Sequence, residues 1–175
     1  WYELVPVFSF LAQKGRCRGC QSKISWQYPI VELLTATLFT LAFYKFYPNI
    51  FLVILACLIL AILIVLTVYD LKHKIIPDSL VYTFIILSLG SYLAVQPPSG
   101  FFYNILAGLG LFTFFGALWY FSGGRAMGFG DAKLGLGIGF LLGPRAGVSA
   151  VILAFWLGAG IGLGLIWLKR RHYNL

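Results

Sequence analysis

From Ile50 to Tyr69 the chain runs for twenty residues without a charged side chain. An α-helix rises about 1.5 Å per residue, so this run is about 30 Å long, the thickness of a bilayer's hydrocarbon core. Lipid offers backbone N–H and C=O groups no partner, and a helix satisfies them internally. The run therefore reads as one membrane crossing. Across all 175 residues, 61% are hydrophobic and 10% are charged. A soluble domain carries about a quarter charged residues. The chain is expected to be an all-α, polytopic helical membrane protein, and a soluble globular domain is excluded. It opens at Trp1 without a methionine and closes after a basic cluster, so further sequence is expected at both ends.

Five more segments read as crossings, giving about six in all. They cover about 30–46, 79–95, 101–121, a short glycine-rich 134–142, and 148–168. Glu32 is expected in the first turn of the first span. Turns are expected at Pro48-Asn49, at Gln96-Pro97-Pro98-Ser99-Gly100 and at Gly143-Pro144-Arg145. Asp70 ends the span that starts at Ile50, and Lys169-Arg170-Arg171 stops the last one. Residues 1–29 form the only sizeable non-membrane piece, and residues 30–175 form the membrane domain.

Orientation follows from the Lys and Arg count. Six spans put residues 1–29, the 70–78 loop, the 122–133 loop and the C-terminal tail on one side. Those four hold four, two, two and three basic residues, eleven of the thirteen in the chain. The other side holds Lys45 and Arg145. The basic side is therefore expected to be cytoplasmic. Most of the net charge of +8 is topology signal, which argues against nucleic acid as a partner and leaves membrane lipid.

That orientation brings two acids to one membrane edge. Asp131 follows Gly128-Phe129-Gly130 and precedes Ala132-Lys133, and Asp70 ends the Ile50 span, 61 residues earlier. An ionisable group at the edge of a membrane is costly and marks a functional site by default. Glycines there are expected to let the backbone leave regular helix and admit another chain closely. Two carboxylates close together share a proton, so that one takes a proton from water while the other donates to a peptide carbonyl. Asp131 lies at an expected helix N-terminus and Asp70 at a C-terminus. The helix dipole thus assigns the charge to Asp131 and the proton to Asp70.

The residues carry a resemblance. Arg16-Cys17-Arg18-Gly19-Cys20 is followed by the stretch from Ile24-Ser25-Trp26-Gln27-Tyr28-Pro29 to Thr35-Ala36. Then come Asp70-Leu71 with Ile76-Pro77-Asp78, and Met127-Gly128-Phe129-Gly130-Asp131-Ala132-Lys133-Leu134. These four blocks, in this order, resemble the type IV prepilin peptidases. The resemblance implies a GxGD-type intramembrane aspartic endopeptidase of the bacterial inner membrane. It implies cleavage of the basic leader of prepilins or pseudopilins at the cytoplasmic face, with Asp70 and Asp131 at the two catalytic positions. Bifunctional members then methylate the new N-terminal amine with S-adenosylmethionine. Many bacterial members also carry two Cys-x-x-Cys pairs that together bind zinc. Here Cys17 and Cys20 form one pair, so half of a structural zinc site is expected, since a closed site takes four ligands.

Other residues admit plainer readings beside the functional ones. Cys17 and Cys20 lie on the cytoplasmic side, where disulfides are rare, which favours a metal. Cys57, mid-span among apolar residues, is expected to pack. Asp78 precedes the third span and is expected to cap its helix, near enough to tune the acid pair. His73, between Lys72 and Lys74, reads as a solvated interfacial residue. Glu32 either answers a helix N-terminus or positions substrate or methyl donor. Lys133 either lowers the pKa of Asp131 or snorkels to the interface. Glycines at 135, 137, 139, 158, 160, 162 and 164 are expected to pack helices closely. A proton-coupled transporter is the rival from another class. Against it, both acids lie at one face and no inverted repeat is apparent. A structural assembly partner, the third reading, requires neither aspartate.

Overall fold

A computed structural model describes residues 7–95, 100–125 and 127–173. Among these the chain is helical throughout, with one isolated antiparallel bridge between Arg16 and Lys23. The elements are α1 (Phe8–Ala12), α2 (Gln27–Phe46), α3 (Ile50–His73), α4 (Asp78–Val95), α5 (Phe101–Ser122) and α6 (Phe129–Tyr173). Four helices are long and apolar enough to cross a membrane, and Asp78–Ala94 is a shorter apolar one. The chain forms two compact units, residues 1–80 and 81–175. The turn expected over Gln96–Ser99 lies outside the described residues.

In the first unit, the N-terminal segment holds a short helix that hydropathy did not suggest. Phe10 of α1 is buried and meets the ring of Trp26 edge-on, with centroids 4.8 Å apart. α2 begins at Gln27, whose N–H donates to Ser25 Oγ at 3.2 Å, and Pro29 is accommodated near the start, where its missing N–H costs nothing. Glu32 therefore sits beyond the first turn rather than within it. α3 packs on α2 and starts on an Asn49 cap, whose side chain accepts from the Leu52 N–H at 3.3 Å. It continues past Asp70 to His73, so Asp70 does not end the helix. Lys74 ends it in the left-handed conformation (φ 55°), donating its N–H to the Asp70 carbonyl at 2.7 Å. Hydroxyls inside the spans turn back on their own helix: Thr35, Thr40 and Thr67 donate to carbonyls four residues earlier, at 2.7–2.8 Å. That satisfies a group for which lipid has no partner.

The second unit is built on α5 against α6. α5 closes on Gly123 (φ 59°), whose N–H donates to the Tyr120 carbonyl. α6 is broken at Gly143 (φ 73°, ψ −174°). In an unbroken helix residues 139 and 147 would stand about 12 Å apart. A Cβ built on Gly147 instead lies 3.8 Å from Gly139 Cα. The chain therefore doubles back, and α6 is two antiparallel arms, 129–142 and 144–173. The turn expected at Gly143-Pro144-Arg145 is present. The second arm runs on to Tyr173, past the basic cluster expected to stop it. The first arm, about 21 Å long, is shorter than the hydrocarbon core is thick.

The reversal leaves one carbonyl short of a donor. Phe140 C=O would accept from the N–H of residue 144, but residue 144 is proline and has none. Asn104 of α5 fills the gap: its Nδ2 donates to the Phe140 carbonyl at 3.1 Å. Its Oδ1 lies 2.7 Å from where a Gly143 Cβ would stand. α5 and the first arm also cross with bare backbones touching. A Cβ on Gly139 would meet Gly108 Cα and lie 2.7 Å from the Ala107 carbonyl carbon. Gly135 admits the Phe115 ring and Gly137 the Phe84 ring of α4, each at under 3 Å from a built Cβ.

The seven glycines expected to pack helices thus divide. Those at 135, 137 and 139 pack, whereas those at 158, 160, 162 and 164 meet nothing within 4 Å of a built Cβ.

Candidate functional site

Asp131 occupies the first turn of α6, and its N–H donates to the Gly128 carbonyl at 3.2 Å. The tight turn is supplied by backbone alone, and it leaves the carboxylate half-buried at the entry of the first arm. Neither Gly128 nor Gly130 takes a left-handed φ; Gly128 lies outside regular helix, just before α6 begins, and Gly130 lies in its first turn. Left-handed conformations fall earlier, at Gly123 and Gly124. A Cβ at Gly128 would meet only ordinary contacts, 3.9 Å from Asp131 Oδ2 and from the Gly130 nitrogen. Lys133 sits two residues on, its ammonium 5.3 Å from the Tyr82 ring centroid and 5.5 Å from that of Phe129. Two aromatic faces hold the cation at the mouth of α6.

Beside Asp131 lies a cavity of about 300 Å³. Its lining includes Phe115 of α5, Asp131 and Ile138 of the first arm, and Ala150, Ala154 and Phe155 of the second. Phe115 and Phe155, both in this lining, stack with centroids 6.2 Å apart and planes 22° from parallel. Hydropathy did not announce this feature, because it depends on which side chains of α5 and the second arm come against the first.

In the first unit, Asp70 is exposed in the last turn of α3, and the ring of His73 lies against Tyr69 with centroids 4.5 Å apart. His73 is therefore part of the helix end rather than a loop residue. Asp78 is the first residue of α4 and exposed, which fits the expected place at a helix start. Glu32 has a partner that sequence reasoning missed. Its Oε2 accepts from the Val7 N–H at 2.9 Å and ties the N-terminal segment to α2. Nothing local in the sequence signals that bond, which joins residues 25 apart.

Cys17 and Cys20 share one tight turn. Cys17 N–H donates to the Ser22 carbonyl and Gln21 N–H to the Cys17 carbonyl, both at 2.9 Å. Cys20 Sγ lies 3.0 Å from Ser22 Oγ. The Ser22 hydroxyl, then its backbone, then Cys17 hold the Cys20 thiol down from 9.0 to about 7. A thiol ready to ionise suits a metal ligand. Among the described residues no group of three or more His, Cys, Asp or Glu is gathered. Cys57 lies mid-α3 and half-buried, as expected of a packing residue.

Comparison with known proteins covers both units. Residues 1–46 match the profile of the Bacterial Peptidase A24 N-terminal domain, and residues 57–163 that of the Type IV leader peptidase family. A prepilin leader peptidase/N-methyltransferase of Aeromonas salmonicida is 36% identical over 98% of this chain and 60% of its own length. The Bacillus subtilis protein of that name is 32% identical over 94% of this chain and 65% of its own. That of Klebsiella pneumoniae is 32% identical over 88% and 68%. The chain thus spans about three fifths of the length of several of these relatives. No solved structure matches it.

Proposed function

The chain belongs to the type IV leader peptidase family, and from that premise we propose that it is an intramembrane aspartic endopeptidase. Its substrates are prepilins or pseudopilins, cut behind their basic leader at the cytoplasmic face of the bacterial inner membrane. The observation that carries this reading is the seat of Asp131. It stands in the first turn of α6, with a cavity lined mostly by apolar side chains beside it.

In the proposed reaction Asp131 is the base, where the positive end of the α6 dipole favours its charge, and Asp70, one turn from the end of α3, is the acid. Asp131 takes a proton from water as the water oxygen bonds to the scissile carbonyl carbon. Asp70 gives its proton to the carbonyl oxygen. As that tetrahedral species collapses the C–N bond breaks, the departing nitrogen takes the proton held by Asp131, and one of the two hydroxyls returns a proton to Asp70. The net change is one water added across one peptide. In the full-length protein, methylation of the new amine by S-adenosylmethionine is the second proposed activity. A zinc at Cys17 and Cys20 would brace the cytoplasmic segment once two further ligands complete its shell.

Leader cleavage of a prepilin substrate in liposomes tests the reading. Asp70→Asn and Asp131→Asn keep the side-chain shape and remove the titrating oxygen. Each is expected to lower cleavage about 1,000-fold, within the 10²–10⁴ range for loss of a single acid or base. Retained cleavage in both folded variants would falsify the assignment.

A further inference from the structure

We propose that a hollow in the N-terminal segment binds the phosphate of an anionic phospholipid and so seats that segment on the membrane surface.

Three observations carry the assignment. The first is a concentration of like charge. Lys14, Arg16 and Lys23 line a hollow of about 490 Å³, together with Phe10 and Trp26, and its lining contains no acid. The isolated antiparallel bridge pairs Arg16 with Lys23, so two cationic residues stand directly opposite each other. Like charges in that position repel and destabilise the turn that holds them. An anion between them replaces that repulsion with attraction.

The second is that the turn is held together by its own backbone. The Gly15 carbonyl accepts from the Ile24 N–H at 2.8 Å, and the Cys17 N–H donates to the Ser22 carbonyl at 2.9 Å. These bonds close residues 16–23 into a hairpin. Lys14 takes the left-handed conformation (φ 51°), which is uncommon for a residue with a side chain. Gly15 follows at φ 69°, and a Cβ there would lie 3.2 Å from Phe10 Cζ. The chain thus bends closely over the buried Phe10 ring, and bend and bridge bring three cations to one hollow.

The third is position. Trp26 lines the hollow, is 66% exposed, and immediately precedes α2, which is long and apolar enough to cross a membrane. An indole at the end of a span sits at the level of the lipid headgroups. Basic side chains at that level attract anionic headgroups. The volume lies within the range of small-ligand sites and exceeds what a bare phosphate fills, leaving room for the glycerol it is esterified to. S-adenosylmethionine would add a sulfonium and an ammonium to three cations, and a basic leader would add more. Both are repelled where a phosphate is drawn in.

Lipid retention tests this. The full chain in neutral detergent is offered equal amounts of phosphatidylglycerol and phosphatidylcholine, and the tightest-held lipid is identified by native mass spectrometry. One cation beside an anionic headgroup is worth about fivefold, and three about 100-fold. The wild type should therefore prefer phosphatidylglycerol by about 100-fold, and each of Lys14→Gln, Arg16→Gln and Lys23→Gln should lower that ratio about fivefold. The triple variant should lose the preference. All three side chains are exposed, so their loss removes little packing, and the single variants test the site even where the triple one fails to fold. A control, Lys45→Gln with Arg125→Gln and Arg145→Gln, removes the same charge elsewhere and should keep the preference. Equal loss in both triple variants would make it an effect of net charge and overturn the proposal. A ratio that the hollow's own variants leave unmoved would overturn it too. Inorganic phosphate in molar excess separates the two sources of this chemistry. It should leave the lipid in place, since the acyl chains hold it as well. Displacement would make the hollow a site for a soluble phosphate and overturn the lipid assignment.

Discussion

Ser22 reaches the Cys20 thiol with both its hydroxyl and its backbone, and those bonds hold the thiol near 7 instead of 9.0. A depressed acid favours the folded state above its unfolded value. That preference is complete above about 9 and fades as the pH falls through about 7. Ser22→Ala removes the first of the causes, so the alkylation midpoint of Cys20 should rise toward 9, read by mass spectrometry across a pH series. An unmoved midpoint would mean the hydroxyl does not set it. Asp131 was legible in the sequence because a carboxylate between apolar segments is expensive and therefore conspicuous. The partner of Glu32 was not legible, since the Val7 N–H arrives from 25 residues away. The helical start was misplaced for a local reason: Gln27 and Tyr28 lack an apolar signature, yet the Ser25 oxygen and Pro29 begin the helix there.

Among the elements, α6 depends most on a neighbour. Its Gly143–Pro144 break orphans the Phe140 carbonyl, and Asn104 of α5 answers it at 3.1 Å. Leaving a buried acceptor unsatisfied costs about 1–3 kcal/mol. Asn104→Ala should therefore lose about that much stability in detergent unfolding, and a loss under about 0.5 kcal/mol would show that water serves the carbonyl as well. The glycines offer a matched pair. Gly139→Ala places a methyl against the backbone of Gly108 and should cost about 1–3 kcal/mol by overpacking. Gly158→Ala meets nothing within 4 Å and should be neutral, or stabilising by up to about 1 kcal/mol through higher helix propensity. Equal effects at the two sites would contradict the close α5–α6 crossing. Composition alone ranked these glycines together, because a glycine in an apolar helix reads the same whether it faces a helix or lipid.

For the whole molecule, the prediction is topological. With Cys17, Cys20 and Cys57 replaced by Ser, single cysteines are placed at Lys72 and Arg125, and at Tyr47 and Arg145. A membrane-impermeant thiol reagent applied from outside should label Tyr47→Cys and Arg145→Cys and spare the other two. Labelling of Tyr47→Cys and Lys72→Cys from the same side would remove α3 as a crossing. Hydropathy alone determined the all-helical class, the long apolar segments and, among the described residues, the turns at Pro48-Asn49 and Gly143-Pro144-Arg145. A slab of fixed thickness turns three-dimensional insertion into a one-dimensional count of apolar residues. The same reading singled out Asp70 and Asp131, since charge at a membrane edge is visible without coordinates. Only the tertiary structure decided which glycines are crossed by another helix, what satisfies the carbonyl at Pro144, and that a cavity opens beside Asp131. Each of these depends on the approach of residues far apart in the chain, and no pattern along one segment records what another segment brings against it.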